Sequence, residues 1–577
     1  MSIPAPAETI IHGGHIATLD PGQPFVSALA IARGRVLAIG DLDRLAAHQA
    51  EQTVMIDLQG HTVVPGLNDS HMHIVREGLT YNMELRWDGV PSLADALRML
   101  RRQAARTPAP QWVRVVGGWS EFQFAERRYP TLAEINAVSP DTPVFILHLY
   151  THAMMNAAAL RALGYTRDTQ PPPGGVIEHD DRGEPTGLLI ATPGTAVLYG
   201  ALASGPVLDR SAKLNSTRQF LRELNRLGIT SASDAGGGGQ HFPADYEAIN
   251  ELAARGESTV RIAYSLFTNN PGRELDDYKT WDKITAFGDG DDRLKVNGIG
   301  EVIVYSAYDF ENFVQPRPVI PEQGLNDLRE ALGWLVRQRW PFRLHATYDE
   351  TISEYLDVFE AIDREFPFDG LHWFFDHCET ISKANIERVA RLGGGIAVQD
   401  RLAFAGERFV ERYGQEAADA KPPIKAMLAA GVPVGAGSDA TRVASYNPWV
   451  SLYWLVTGRT VGGHQLWSEP ARLDRMQALR LYTQGSAWFS RDDQRKGALT
   501  PGQFADLAVL SADYFSVDDE QIKAIESVLT VMDGEIVFAQ GPFSEFAPPP
   551  LPVEPGWSPV TEFGGAYRPA APGSSPC

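Results

Sequence analysis

Val63-Val64-Pro65-Gly66-Leu67-Asn68-Asp69-Ser70-His71-Met72-His73 is the stretch on which the reading of this 577-residue chain turns. β-Branched residues lead into Pro-Gly, a short apolar step follows, and two histidines then stand two positions apart. In an extended strand residues i and i+2 face the same side, so His71 and His73 can offer both imidazoles to one metal ion. The same pair also fits the polar end of an ordinary strand, and the rest of the chain has to decide.

Upstream, Glu8–Ile11, His15–Leu19, Ala28–Ile31 and Arg35–Gly40 read as short strands separated by Gly-Gly, Asp-Pro-Gly and Arg-Gly turns. The same texture returns at Ala505–Leu510 and Ser527–Phe538, which predicts one composite β-domain from residues 1–64 and 497–546. Between them, amphipathic segments such as Leu93–Ala105 and Ser216–Leu227 alternate with short apolar runs such as Val113–Gly117, Val144–Leu149 and Gly228–Ala232. That alternation belongs to a parallel α/β protein. Without a GxGxxG or GxxxxGK[ST] phosphate loop, the expected form is a TIM (β/α)8 barrel over 65–496 with a small β-sandwich domain from both chain ends. The span exceeds what eight βα units need, so an insertion is expected at about 85–215. Residues 547–577 read as a Pro-rich tail that is usually solvated, although Trp557, Phe563 and Tyr567 would suit an arm lying on a neighbouring surface.

A hydrophobic share of 44% and a charged share of 21% are those of a globular protein, and no apolar run reaches membrane-spanning length. The formal charge of −21 repels nucleic acid and anionic membrane surfaces. Cys378 and Cys577 provide neither a disulfide framework nor a CxxC site, so any metal is held by nitrogen and oxygen. A cytoplasmic location is the default expectation, and a homodimer is compatible with the sequence.

Four later positions complete the picture. Lys295 sits in Arg293-Leu294-Lys295-Val296-Asn297-Gly298; His345 closes Pro341–His345, His377 closes Trp373–His377, and Asp439 closes Val432–Asp439. Singly they read as a snorkelling lysine, core histidines and a helix cap. Taken together and in this order, inside a split β-domain, they resemble the metal-dependent amidohydrolase superfamily, in the branch that includes N-substituted formamide deformylase. Further phrases carry the likeness: Gly117-Gly118-Trp119, Thr151-His152-Ala153, Pro185-Thr186-Gly187, Gly228-Ile229-Thr230 and Gly497–Leu507. It spans about residues 7–541. The chain departs from that pattern at Ile299-Gly300, Asp376-His377 and Tyr348-Asp349, and none of these removes a ligand.

The resemblance implies a ligand set. His71 and His73 with Asp439 would hold one Zn²⁺, or another divalent ion, and His345 and His377 a second. Lys295, carboxylated to a carbamate, would bridge them. Asp439 would act as general base and acid toward the attacking water and the leaving amine. His152 would bind the substrate carbonyl or its oxyanion, a role weighed against a structural histidine. Trp119, Tyr348 and Trp373 are expected to favour an apolar or aryl substituent. The function implied is hydrolysis of an amide-type C–N bond in a small molecule. Ester, lactone or cyclic amide hydrolysis at the same centre is the alternative, and a non-catalytic binding protein on the same fold is the reading from another class.

Overall fold

The computed structural model describes residues 5–192, 194–309, 313 and 317–568; Cys577 and the end of the tail lie outside the described residues. At its centre eight parallel strands stand in chain order: β1 (Leu67–Met72), β2 (Ile229–Asp234), β3 (Arg261–Leu266), β4 (Leu294–Ile299), β5 (Phe342–Ala346), β6 (Trp373–His377), β7 (Gly395–Gln399) and β8 (Val434–Gly437). Every residue of β5 to β8 is buried. Such strands are covered on both faces, by the barrel interior and by returning helices such as Glu322–Arg337 and Asp349–Asp363. This explains near-continuous apolar runs instead of strict alternation.

The ring is nearly closed where β8 meets β1. Asp439 N–H donates to the His71 carbonyl at 2.8 Å and His73 N–H to that of Ala440 at 3.0 Å. Beneath them the buried Asp69 carboxylate accepts from Ser438 Oγ (2.7 Å), from the Tyr482 hydroxyl (3.0 Å) and from His71 N–H (2.9 Å). Burial pushes this carboxyl up to about 6 against those donors. Glycine is required at the seam on steric grounds. A Cβ at Gly437 would lie 2.5 Å from Asp69 Oδ1 and 2.6 Å from the His71 nitrogen, and one at Gly66 would lie 2.0 Å from Thr230 Oγ1.

The two chain ends form one eight-stranded sheet. Leu507–Leu510 runs antiparallel to Thr62–Pro65 with Val509 opposite Val63, and Thr9–Ala17 pairs with Phe25–Ala32. Ile11, Leu29, Val63, Leu507 and Val531 make its core. Between β1 and β2 the chain builds a separate five-stranded sheet from Val113–Val116, Val144–His148, His152–Met155, Gly175–His179 and Pro185–Ala191. The apolar runs at 113–117 and 144–149 therefore belong to this sheet and not to the barrel.

The tail departs from the solvated expectation, because its backbone is held by side chains of two helices. Asn215 Nδ2 donates to the Pro552 carbonyl (2.8 Å), Gln103 Nε2 to that of Trp557 (2.8 Å), and Tyr567 N–H donates to the Asp88 carbonyl (3.0 Å). The arm lies on its own chain. Among the described residues no helix is long and apolar enough to cross a membrane.

Candidate metal centre

Each barrel strand delivers its chemistry at its C-terminal end, where successive βα loops converge. β1 carries His71 as its last residue but one and runs into His73, β5 carries His345, β6 ends in His377, and Asp439 follows β8. Glu301 follows β4 by two residues. Their ligand atoms form three groups, each within 4.8 Å: His71, His377 and Asp439; His71, His73 and Glu301; and Glu301, His345 and His377. Glu301 is shared by a pair of histidines from β1 and a pair from β5 and β6. A carboxylate so placed would be common to two ligand groups if cations were bound.

The distances are short throughout. Glu301 Oε2 lies 3.4 Å from His71 Nε2, 3.8 Å from His377 Nε2 and 3.9 Å from His345 Nδ1. Asp439 Oδ1 lies 3.1 Å from His73 Nε2 and 3.4 Å from His71 Nε2, while its Oδ2 is 3.9 Å from His377 Nδ1. Outer partners aim the rings. His73 Nδ1 meets the Gly236 carbonyl, and His71 Nδ1 is 2.9 Å from Asp376, whose carboxylate also binds Arg343 at 2.6 Å. His377 and Asp439 adopt left-handed backbone conformations, φ 77° and 57°. This is uncommon for residues other than glycine, and Asp439 is tied by its N–H to the His71 carbonyl across the seam.

Four buried atoms facing this space, His71 Nε2, His377 Nδ1 and Nε2, and Glu301 Oε2, have no hydrogen-bond partner among the described residues. Buried polar groups are rarely left so, and a cluster of nitrogen and carboxylate atoms converging without partners fits a divalent cation. Burial, with Arg76 adding to it, lowers His73 to about 3; burial and the Arg401 charge hold His345 and His377 well below the usual imidazole range. These rings are neutral, the state a metal ligand needs. Burial opposes the charge on His71, but Asp376 overrides it and lifts the ring to about 10. Burial also pushes Glu301 up to about 7.

His71, His73, His345, His377 and Asp439 are thus brought together, and Lys295 is not. Lys295 is the second residue of β4, so its side chain stands at the opposite end of the strand, where Nζ pairs with Asp492 at 2.8 Å. Glu301 lies six positions further along, beyond the strand end at Ile299, at most roughly 20 Å away at the usual extended rise. The acidic group that stands among the histidines, and that would take the part expected of Lys295, is Glu301. The signal was strand polarity: Gly300-Glu301, beyond the apolar run, is the acidic position at the productive end.

The expected substrate contacts also shift. Trp119 is fully buried, donates Nε1–H to the Leu147 carbonyl at 3.0 Å and stacks with Phe124; Trp373 starts β6 and donates to the Leu392 carbonyl at 3.0 Å. Tyr348 is equally buried, beneath Arg317. All three belong to cores. His152 lines a separate cavity of about 450 Å³ with Tyr129, His148 and Arg408, and stacks on His148. The cavity reaching the cluster, about 520 Å³, is lined by His73, Glu301, His345 and Asp439 on its floor. Its walls include Tyr150, Tyr199, Phe267 and Tyr305, the apolar Leu79, Leu202 and Leu208, and three arginines, Arg76, Arg114 and Arg442.

Comparison with known proteins bears on the family and the fold. The Bacillus subtilis protein YtcJ is 26% identical over 92% of this chain and 99% of its own length. N-substituted formamide deformylase of Arthrobacter pascens is 24% identical, covering 91% of this chain and 97% of its own. Among solved structures, an uncharacterized metal-dependent hydrolase from Pyrococcus horikoshii shares the fold with a TM-score of 0.62 at 21% identity, over 89% of this chain and 99% of the other. The amidohydrolase family model matches residues 54–538. With a nearly closed eight-stranded barrel and a histidine–carboxylate cluster at the C-terminal ends of its strands, the chain belongs to the amidohydrolase family, metal-dependent hydrolases acting on C–N bonds.

Proposed function

We propose that this protein hydrolyses an amide-type C–N bond of a small molecule, with Zn²⁺ as the cation and Glu301 as the carboxylate common to two ligand groups. The observation that carries this reading is the sharing of Glu301 between His71/His73 and His345/His377, with Asp439 facing the same space. When bound, a divalent cation supplies Lewis acidity, which polarises a carbonyl and acidifies water near neutral pH. His71, His73, His345, His377, Glu301 and Asp439 would hold it.

The remaining work falls to side chains of the chain itself. Asp439 is held well below the usual carboxylate range, positive charge at the neighbouring His71 position outweighing the burial that opposes it, and a bound cation would act in the same direction. Its Oδ1 is engaged by His73 and His71, leaving Oδ2 the less committed oxygen. We assign Oδ2 the proton of the attacking water, which Asp439 then passes to the departing nitrogen. Tyr150, Tyr199 and Tyr305 line the cavity above this floor. The N-formamide named in one relative, N-substituted formamide deformylase, is a member of the substrate class proposed.

The test combines metal content with turnover. Purified protein is assayed against formamides, other amides, esters and lactones, as wild type and as Asp439→Asn. Zinc at one or two per chain and amide turnover that falls about 10²–10⁴-fold in the variant, with the fold intact, support the reading. Metal-free protein whose activity survives strong chelators, or an undiminished variant, overturns it.

A further inference from the structure

The cavity above the cluster contains a feature that metal binding does not use. Arg76, on the helix following β1, and Arg442, three residues beyond Asp439, both line it. Arg76 Nη2 and Arg442 Nη1 are buried and have no hydrogen-bond partner among the described residues. Four other buried guanidinium groups are met by carboxylates: Arg86 by Asp88 at 2.9 Å, Arg261 by Asp506 at 2.7 Å, Arg343 by Asp376 at 2.6 Å and Arg401 by Glu379 at 2.6 Å, whereas Arg114, which also lines this cavity, donates to the Pro206 carbonyl. The cavity pair has tyrosines instead. Tyr150 and Tyr199 are the leading favourable influences on Arg76, and Arg442 sits 4.3 Å over the Tyr199 ring.

The nearest acids are committed elsewhere. Glu84, which also lines the cavity, is 2.9 Å from Arg86, and Asp439 faces His73. Burial, with Arg76 next, lowers Arg442 from its ordinary value, so the two cations repel each other. Buried, mutually repelling cations with unused N–H groups form a site for an anion.

We propose that Arg76 and Arg442 bind an anionic group, a carboxylate or phosphate, of the substrate, holding it while its amide carbonyl lies over the Glu301–Asp439 floor. Leu79, Leu202 and Leu208 on the same walls then receive an apolar part of the molecule. This rests on the hydrolase reading for the term substrate but not for the binding itself.

The test is calorimetric, using two probes of the same shape without a hydrolysable bond: 3-phenylpropanoate and 4-phenylbutan-2-one. Each is titrated into the protein as purified and into chelator-treated protein, for wild type, Arg76→Gln, Arg442→Gln and Arg442→Lys. Wild type should favour the acid, with or without metal, and each glutamine variant should weaken acid binding about 10- to 100-fold while leaving the ketone unchanged. Arg442→Lys should keep part of the preference, which separates lost charge from lost folding. Phosphate competing with the acid also supports the site and marks phosphate as an acceptable group. Equal binding of the two probes by wild type overturns the proposal, as does a preference that survives both glutamine variants or disappears with the metal alone. Amide turnover without acid preference would refute only the arginine site; acid preference without any turnover would refute only the hydrolase reading.

Discussion

Replacing Glu301 by glutamine is the sharpest test of the centre, because it keeps shape and one oxygen while removing one negative charge. Glu301 Oε2 stands 3.4, 3.8 and 3.9 Å from nitrogens of His71, His377 and His345. A pair of unit charges about 4 Å apart at an effective dielectric of about 20 is worth about 4 kcal/mol. A divalent cation among these ligands gains more, so about 4 kcal/mol, a thousandfold in affinity, is the floor expected for Glu301→Gln. Lys295→Ala is the control. Its partner Asp492 keeps Arg495 and Lys496, the latter at 3.6 Å, so the loss is about 1 kcal/mol of stability with metal affinity unchanged. Competition against a chromophoric chelator gives the affinities, and elemental analysis of dialysed protein gives the stoichiometry. Full metal retention by Glu301→Gln together with metal loss in Lys295→Ala would refute the placement of the bridge.

Three further substitutions probe the surroundings. Asp376→Ala removes the carboxylate that orients His71, and metal affinity should fall about 10- to 100-fold in the same competition assay, an unchanged value contradicting its role. Gly437→Ala places a methyl group 2.5 Å from Asp69 Oδ1, and the strand seam should lose about 1–3 kcal/mol or more in urea unfolding. Glu121, buried between His148 (3.0 Å) and Arg408 (2.6 Å), is lowered to about 2, burial opposing and the His148 hydrogen bond prevailing. A depressed carboxyl stabilises above its unfolded pKa and loses that contribution as pH falls through its folded one. The stability gap between wild type and Glu121→Gln, on the order of 3 kcal/mol at pH 7, should therefore close between pH 4.5 and 2, and a gap independent of pH would refute it.

What could be read from the sequence was whatever depends on local period and strand polarity. His71 and His73 share a strand face by the rule of two, and His345, His377 and Asp439 close apolar runs, so their meeting at one barrel end follows from topology. Lys295 misled because it lies within an apolar run and not beyond it. The strand begins at Leu294, which leaves the lysine at the wrong end and Glu301 at the right one. Trp119, Tyr348 and Trp373 misled for a different reason. Large aromatics near loops are as useful for filling the layer between strand and helix as for greeting a ligand, and only burial distinguishes the two. Arg76 and Arg442 were invisible because an arginine announces itself only when its partners are known, and here those are tyrosines from a distant part of the chain.

The seam between β1 and β8 governs when the centre comes into being during synthesis. His73 and Asp439, 3.1 Å apart in the folded chain, are separated by 366 residues of sequence. At about 5–20 residues per second a ribosome needs roughly 20–70 s to travel from one to the other. Through that interval the two β1 histidines are present without Asp69 being locked by Ser438 or Tyr482, and without Glu301 for most of the first part. The nascent chain therefore holds only fragments of the ligand set. Tight, selective metal capture has to wait until the last barrel strand has been made and docked, which makes loading a property of the completed molecule.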